Sequence, residues 1–196
     1  STTVTIPVGR HVAPLALFDD AHRAGWKLVT APANGPGAVV AGGGQLRLSY
    51  DFGSGERAAY AANQLELGDP LALACAVDGD GGGEALRATL VDRYGERAIV
   101  TFARSVDFSA TRRLSLAVPI ALAPPIAIRN LYAVGTLANP PVTGAGTLTI
   151  HDCTGTFPGA QPVPVRNALH PQPARNNAIP TTSAHVGGAD AIDSAG

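Results

Sequence analysis

Three kinds of side chain in this sequence have the chemistry to hold or transform a ligand, and spacing sorts them. The first is acid. Asp78-Gly-Asp-Gly-Gly-Gly-Glu84 spaces its carboxylates like the opening of an EF-hand calcium loop, but the later ligands, the distant bidentate glutamate and the flanking helices are missing. It also lacks the lysine and following helix of a phosphate loop, so a flexible turn is the reading it supports. The second is arginine on apolar, alternating segments: Arg47 with Ser49 and Asp51, Arg87 with Thr89, and Arg113 with Ser115. If those segments share one sheet, the polar residues line one open face. Guanidinium forks fit carboxylates bidentately, so such a face would suit an acidic polysaccharide; a plain solvated face competes with that reading. The third is aromatic. Trp26 within Gly25 to Thr30 reads as core, whereas Tyr60 and Tyr94, beside turns, are the candidates for stacking on a sugar ring.

Catalysis does not assemble from the same residues. His11, His22, His151, His170 and His185 accompany no nucleophile elbow and no His-Glu-x-x-His helix. Asp51, Asp92 and Asp107 are the candidates for a hydrolytic carboxylate pair, which would require a separation of about 5 to 9 Å that sequence does not supply. The expectation is a protein that is not an enzyme.

The elements that position these residues are strands. Gln45 to Phe52 alternates Leu46, Leu48, Tyr50 and Phe52 with Arg47, Ser49 and Asp51, the signature of a half-buried strand. Leu71 to Val77 and Leu86 to Val91 alternate likewise, and their glycine-rich connection reads as the turn of a long antiparallel hairpin. Ala98 to Ala103, Arg112 to Val118, Ile126 to Val134 and Thr147 to Cys153 continue the series, while Thr3 to Ile6 and Val12 to Leu17, broken by prolines, read as edge strands. With 23 glycines, 16 prolines and only 15% charged residues, composition agrees with many short strands. Turns every 8 to 12 residues or so are the spacing of a sandwich or barrel, and a two-sheet antiparallel β-sandwich of jelly-roll type is predicted over 1–156. From 157 to 196, prolines 158, 162, 164, 171, 173 and 180 punctuate a tail with few apolar anchors, expected to be a linker or a strap.

Net charge is −1 with no basic run, which removes the usual footprint of nucleic-acid binding. No apolar run reaches the ~20 residues of a membrane span. The chain begins at Ser1 without a signal-like apolar segment, as expected if a signal has been removed or if this is a piece of something longer. Cys75 and Cys153 make one bridge if their Cα atoms lie within about 7 Å; otherwise Cys75 packs as a small hydrophobe in its strand.

Taken in order, Phe18-Asp19-Asp20 ahead of Gly25-Trp26, Leu48 to Phe52, Val77 to Gly81, Leu86 to Asp92 with its turn at Gly95, Val106-Asp107-Phe108, Leu131 to Gly135 and Gly146 to Asp152 resemble one group. They are similar to galactose-binding-like jelly-roll domains, the carbohydrate-binding modules appended to bacterial phosphodiester glycosidases and other exopolysaccharide enzymes. The chain departs from that pattern at Ser109-Ala110-Thr111, where the family often has Gly-Trp, and at His151, where paired acids usually close the last strand. The resemblance implies one structural calcium, with Asp19, Asp20 and Asp152 at the matching positions.

Two functions follow as expectations. One is a non-catalytic carbohydrate-binding module, an accessory domain of a larger bacterial protein that is secreted, periplasmic or on the cell surface. It would hold a polysaccharide through Arg47, Arg87 and Arg113, helped by Tyr60 or Tyr94. The other is a structural or docking domain whose alanine-rich strand face, Ala72, Ala74 and Ala76, packs on a neighbouring domain or subunit.

Overall fold

A computed structural model describes residues 9–138 and 140–159. Eleven strands make up its regular structure: β1 (Arg10–Pro14), β2 (Lys27–Ala31), β3 (Gly37–Gly42), β4 (Gln45–Asp51), β5 (Ala58–Gly68), β6 (Ala72–Asp78), β7 (Ala85–Val91), β8 (Arg97–Ala103), β9 (Thr111–Ala117), β10 (Ile126–Val134) and β11 (Ala145–Pro158). The only helical pieces among the described residues are two single 3₁₀ turns, and no helix there is long and apolar enough to cross a membrane.

The strands form two sheets, and every pairing is antiparallel. Sheet A runs β3-β4-β11-β6-β9, with β1 continuing the line of β4 along the far half of β11; sheet B runs β2-β5-β10-β7-β8. Alternation explains the packing. Leu46, Leu48, Leu73, Val77, Leu148 and Ile150 of sheet A meet Ala61, Leu86, Leu90, Ile128 and Leu131 of sheet B in one core. Trp26 belongs to it too, 6% exposed, its indole N–H donating to the Leu17 carbonyl at 2.9 Å. The predicted β-sandwich is therefore the fold.

The central hairpin is not. β6 pairs with β11 and β9 in sheet A, whereas β7 pairs with β10 and β8 in sheet B. The segment Gly79 to Glu84 is a crossing between sheets, and alternation alone could not distinguish the two because it reports a buried face and not a partner. Two causes explain its glycines: a Cβ on Gly79 would strike the Phe108 carbonyl, and Gly81 and Gly83 have left-handed φ of +76° and +88°.

Two of the register shifts re-aim side chains toward the core. β10 shifts register between Ile128 and Asn130, so Ile128 and Leu131 both face the core. β11 shifts between His151 and Thr154, with Asp152 at φ +47°, so Ile150 and Cys153 both face inward. That second bulge brings Cys153 against Cys75. Their Cα atoms are 4.1 Å apart and the sulfurs are bonded, so the bridge, not the free thiol, is what the chain makes. β11 ends at Pro158. Positions 160–196 of the expected tail, with His170 and His185, and the segment Thr3 to Ile6 lie outside the described residues.

Candidate functional site

The outer face of sheet B carries one continuous row. Register pairs Val29 with Tyr60, Tyr60 with Tyr132, Tyr132 with Arg87, and Arg87 with Thr101, each on a neighbouring strand and each turned away from the core. The Tyr60 and Tyr132 rings stack with centroids 4.6 Å apart and 27° between their planes. Tyr132 is only 4% exposed, so its ring is a prop between Tyr60 and Arg87, while Tyr60 is half-buried. Burial pushes the Tyr132 phenol above its ordinary value, against the pull of the Arg87 charge beside it. Arg87 donates from Nε to Thr101 Oγ1 at 3.3 Å.

Beyond Arg87 the row opens into a hollow of about 310 Å³ lined by Ala85, Arg87, Thr101, Arg104 and Leu137. It lies where β7 begins and β8 ends, next to the crossing segment. Beneath that segment sits a buried acid. Asp80 accepts from Tyr50 OH at 2.8 Å and from the Thr147 and Gly82 N–H groups. Glu84 is 0% exposed, and with the Tyr50 hydroxyl donating to Asp80, neither Glu84 oxygen has a hydrogen-bond partner among the described residues. Burial, with Asp80 adding, pushes the Glu84 carboxyl up to about 7, and burial beside these acids holds the Tyr50 phenol far above its usual range. The oxygens crowd one spot: a Cβ on Gly82 would come within 2.6 Å of Glu84 Oε2 and 3.0 Å of both Asp80 Oδ1 and Tyr50 OH. The acids of the glycine-rich segment thus pin a crossing in place.

The expected arginine face does not exist as one surface. Arg47 on β4 and Arg113 on β9 lie in sheet A, whereas Arg87 is on the opposite side of the sandwich. Arg113 is spent locally, donating to the Asp152 carbonyl at 3.1 Å and to Thr154 Oγ1 at 2.6 Å. Tyr94 stands in the β7–β8 turn, 75% exposed with the Arg93 guanidinium 5.2 Å from its ring, at the end of β7 away from the hollow. Of the sequence candidates for glycan contact, Tyr60 and Arg87 share the outer face of sheet B. The sequence pattern singles out neither Tyr132 nor Thr101: the β10 bulge inverts the facing that Ile126 and Ile128 imply for Tyr132, and nothing in Ala98 to Ala103 sets Thr101 apart.

Calcium finds no fit at the positions the resemblance implies. Asp19 Oδ1 accepts the His22 backbone N–H at 3.0 Å and faces His22 Nδ1 at 2.6 Å, and Asp152 Oδ2 faces His151 Nδ1 at 2.9 Å. Asp20 lies by Gly42 at the end of β3. Among the described residues no group of three His, Cys, Asp or Glu is arranged to hold a metal ion. His151 instead bridges Asp152 and Asp78: burial pulls its imidazole down, but the two carboxylates outweigh burial and its pKa is raised. The aspartates weighed for hydrolysis are also engaged, Asp92 by the Tyr94, Glu96 and Ala123 N–H groups, Asp107 by Arg112, and Asp51 by the Gly53 N–H. Ala72, Ala74 and Ala76 do share the outer face of sheet A, beside Thr154, Thr156 and Ser115.

No protein-family model and no curated protein matches the chain. Among solved structures it is similar to a carbohydrate-binding module of family 29, at 12% identity over 76% of this chain and 90% of that one, with a TM-score of 0.44. It is similar to the family 11 carbohydrate-binding module of the cellulosomal cellulase Lic26A-Cel5E of Clostridium thermocellum, at 13% identity over 76% of this chain and 96% of that one, TM-score 0.46. It is also similar to the enzymatically active domain of tailspike protein 4 of bacteriophage CBA120, at 15% identity over 73% of this chain and 21% of that one, TM-score 0.45.

Proposed function

We propose that this domain binds a polysaccharide without cleaving it, across the outer face of sheet B. The observation that supports this most is the register that sets Tyr60, Tyr132, Arg87 and Thr101 side by side on four adjacent strands. A pleated sheet makes such a row flat and long, the shape of a glycan chain, and antiparallel hydrogen bonding keeps it rigid without a ligand. Tyr60 supplies apolar contact, Tyr132 holds it upright, and the guanidinium and hydroxyl supply directed hydrogen bonds. The Cys75–Cys153 bridge supports an oxidising setting, as for an accessory domain of a secreted, periplasmic or surface protein.

Affinity electrophoresis in gels containing neutral and acidic polysaccharides tests this. The native protein is expected to be retarded by at least one polymer, and Tyr60→Ala or Arg87→Ala to weaken the retardation about tenfold while Arg47→Ala leaves it intact. Free migration in every gel, with self-association in sizing, would replace glycan binding by docking through the alanine face of sheet A.

A further inference from the structure

The hollow at the end of the tyrosine row has a charge pattern of its own. Two guanidiniums, Arg87 and Arg104, line it with the Thr101 hydroxyl and the aliphatic walls of Ala85 and Leu137. Neither arginine has a carboxylate partner among the described residues, where the ion pairs involve Arg112 and two histidines. The bond from Arg87 Nε to Thr101 leaves the two terminal amino groups of Arg87 without a hydrogen bond there, so a two-pronged donor is already oriented. Leu137 is 55% exposed, an apolar side chain held at the rim. At about 310 Å³ the hollow is at the small end of ligand pockets, room for one ring and its substituent.

Two like charges facing one concavity repel each other. An oxyanion between them relieves that repulsion and takes the donors of both, in the geometry guanidinium groups favour. We infer that this hollow is a subsite for the negatively charged substituent, a uronate carboxylate or an ester sulfate, of a sugar in an acidic polysaccharide, with Arg104 and Arg87 as its ligands. The inference rests on the proposed glycan binding and adds the class of sugar. Tyr60, propped by Tyr132, would then seat the adjoining part of the chain, and Arg104 would decide whether that chain is charged.

Matched pairs of polymers test it: polygalacturonate against its neutral methyl ester, and dextran sulfate against dextran, in affinity gels at low and at physiological salt. At least one charged member is expected to be bound about tenfold more tightly than its neutral partner, the scale of one charge-assisted hydrogen bond. Arg104→Gln is expected to close that gap, Arg104→Lys to close it in part because the fork is lost, and Arg47→Gln on the other sheet to leave it open. The pair that shows the gap tells carboxylate from sulfate. Equal binding within both pairs, or a gap that survives Arg104→Gln in protein of unchanged melting temperature, overturns the inference while leaving glycan binding standing. Binding of no polymer at all removes the proposed function, and the subsite with it.

Discussion

The two outer faces of the sandwich are built from the same alternating strands, yet they treat their polar residues in opposite ways. On sheet A, Arg47 apart, the charges answer one another. His151 lies between Asp78 and Asp152, Thr111 donates to Asp78, Arg113 is tied to β11, and Ser49 meets Thr147. Between them lie alanines, and behind them the Cys75–Cys153 bridge locks β6 to β11. On sheet B two tyrosines stack on each other, and two arginines face a hollow with no acid among the described residues to meet them. A face whose donors and acceptors are paired at home gains little from a ligand; one with oriented, unspent donors gains much. Alternation tells which residues face out, and pairing tells which of those faces has something left to offer.

The sharpest way to separate the faces is to weaken one and watch the other. Replacing both cysteines by alanine is expected to cost about 2–4 kcal/mol, read as a lower denaturant midpoint, because the bridge closes a long loop. Glycan retention below the new midpoint should be unchanged, and its loss would show that the faces are coupled. Next in size, Tyr60→Ala should weaken retention about tenfold, near 1.4 kcal/mol, with Arg113→Ala causing no loss in the same gels.

The acids beneath the crossing give a pH signature. Glu84 has a folded pKa raised from 4.5 to about 7, so its contribution to stability is fully present below pH 4.5 and is lost as pH rises through about 7. Melting temperature should fall across that window, and Glu84→Gln, which keeps the shape without the charge, should flatten it. His151 acts in the same direction on sheet A: its raised pKa gives stability present below the ordinary 6.5 and lost as pH passes the folded value. It is partly exposed, so His151→Ala in the Glu84→Gln background should remove a smaller slope. Smallest of all, a chelator should leave the melting temperature unmoved, since Asp19 and Asp152 already hold histidines.

Much of the fold was legible because burial on one side of a sheet writes a period of two into the chain. Leu46, Leu48 and Tyr50, or Leu86, Ala88 and Leu90, announce their strands without any partner being known. What such a pattern omits is the neighbour. The Asp78–Glu84 connection carries the same apolar flanks whether it turns a hairpin or crosses to the other sheet, so Arg87 could not be separated from Arg47 and Arg113 by inspection. The bulges are harder still. Counting by twos from Ile128 turns Tyr132 inward, and counting from Ile150 turns Cys153 outward; a single extra residue in each strand reverses both.

A sandwich of antiparallel strands with alternating greasy and polar sides can be read from residue order, because side-chain direction along an extended chain is a local property. Which strands are neighbours, that Cys75 meets Cys153, and that Tyr60, Tyr132 and Arg87 form one row emerge only from the folded chain. Those facts depend on hydrogen-bond register between segments far apart in the chain, and a one-residue shift in register moves a side chain to the other face.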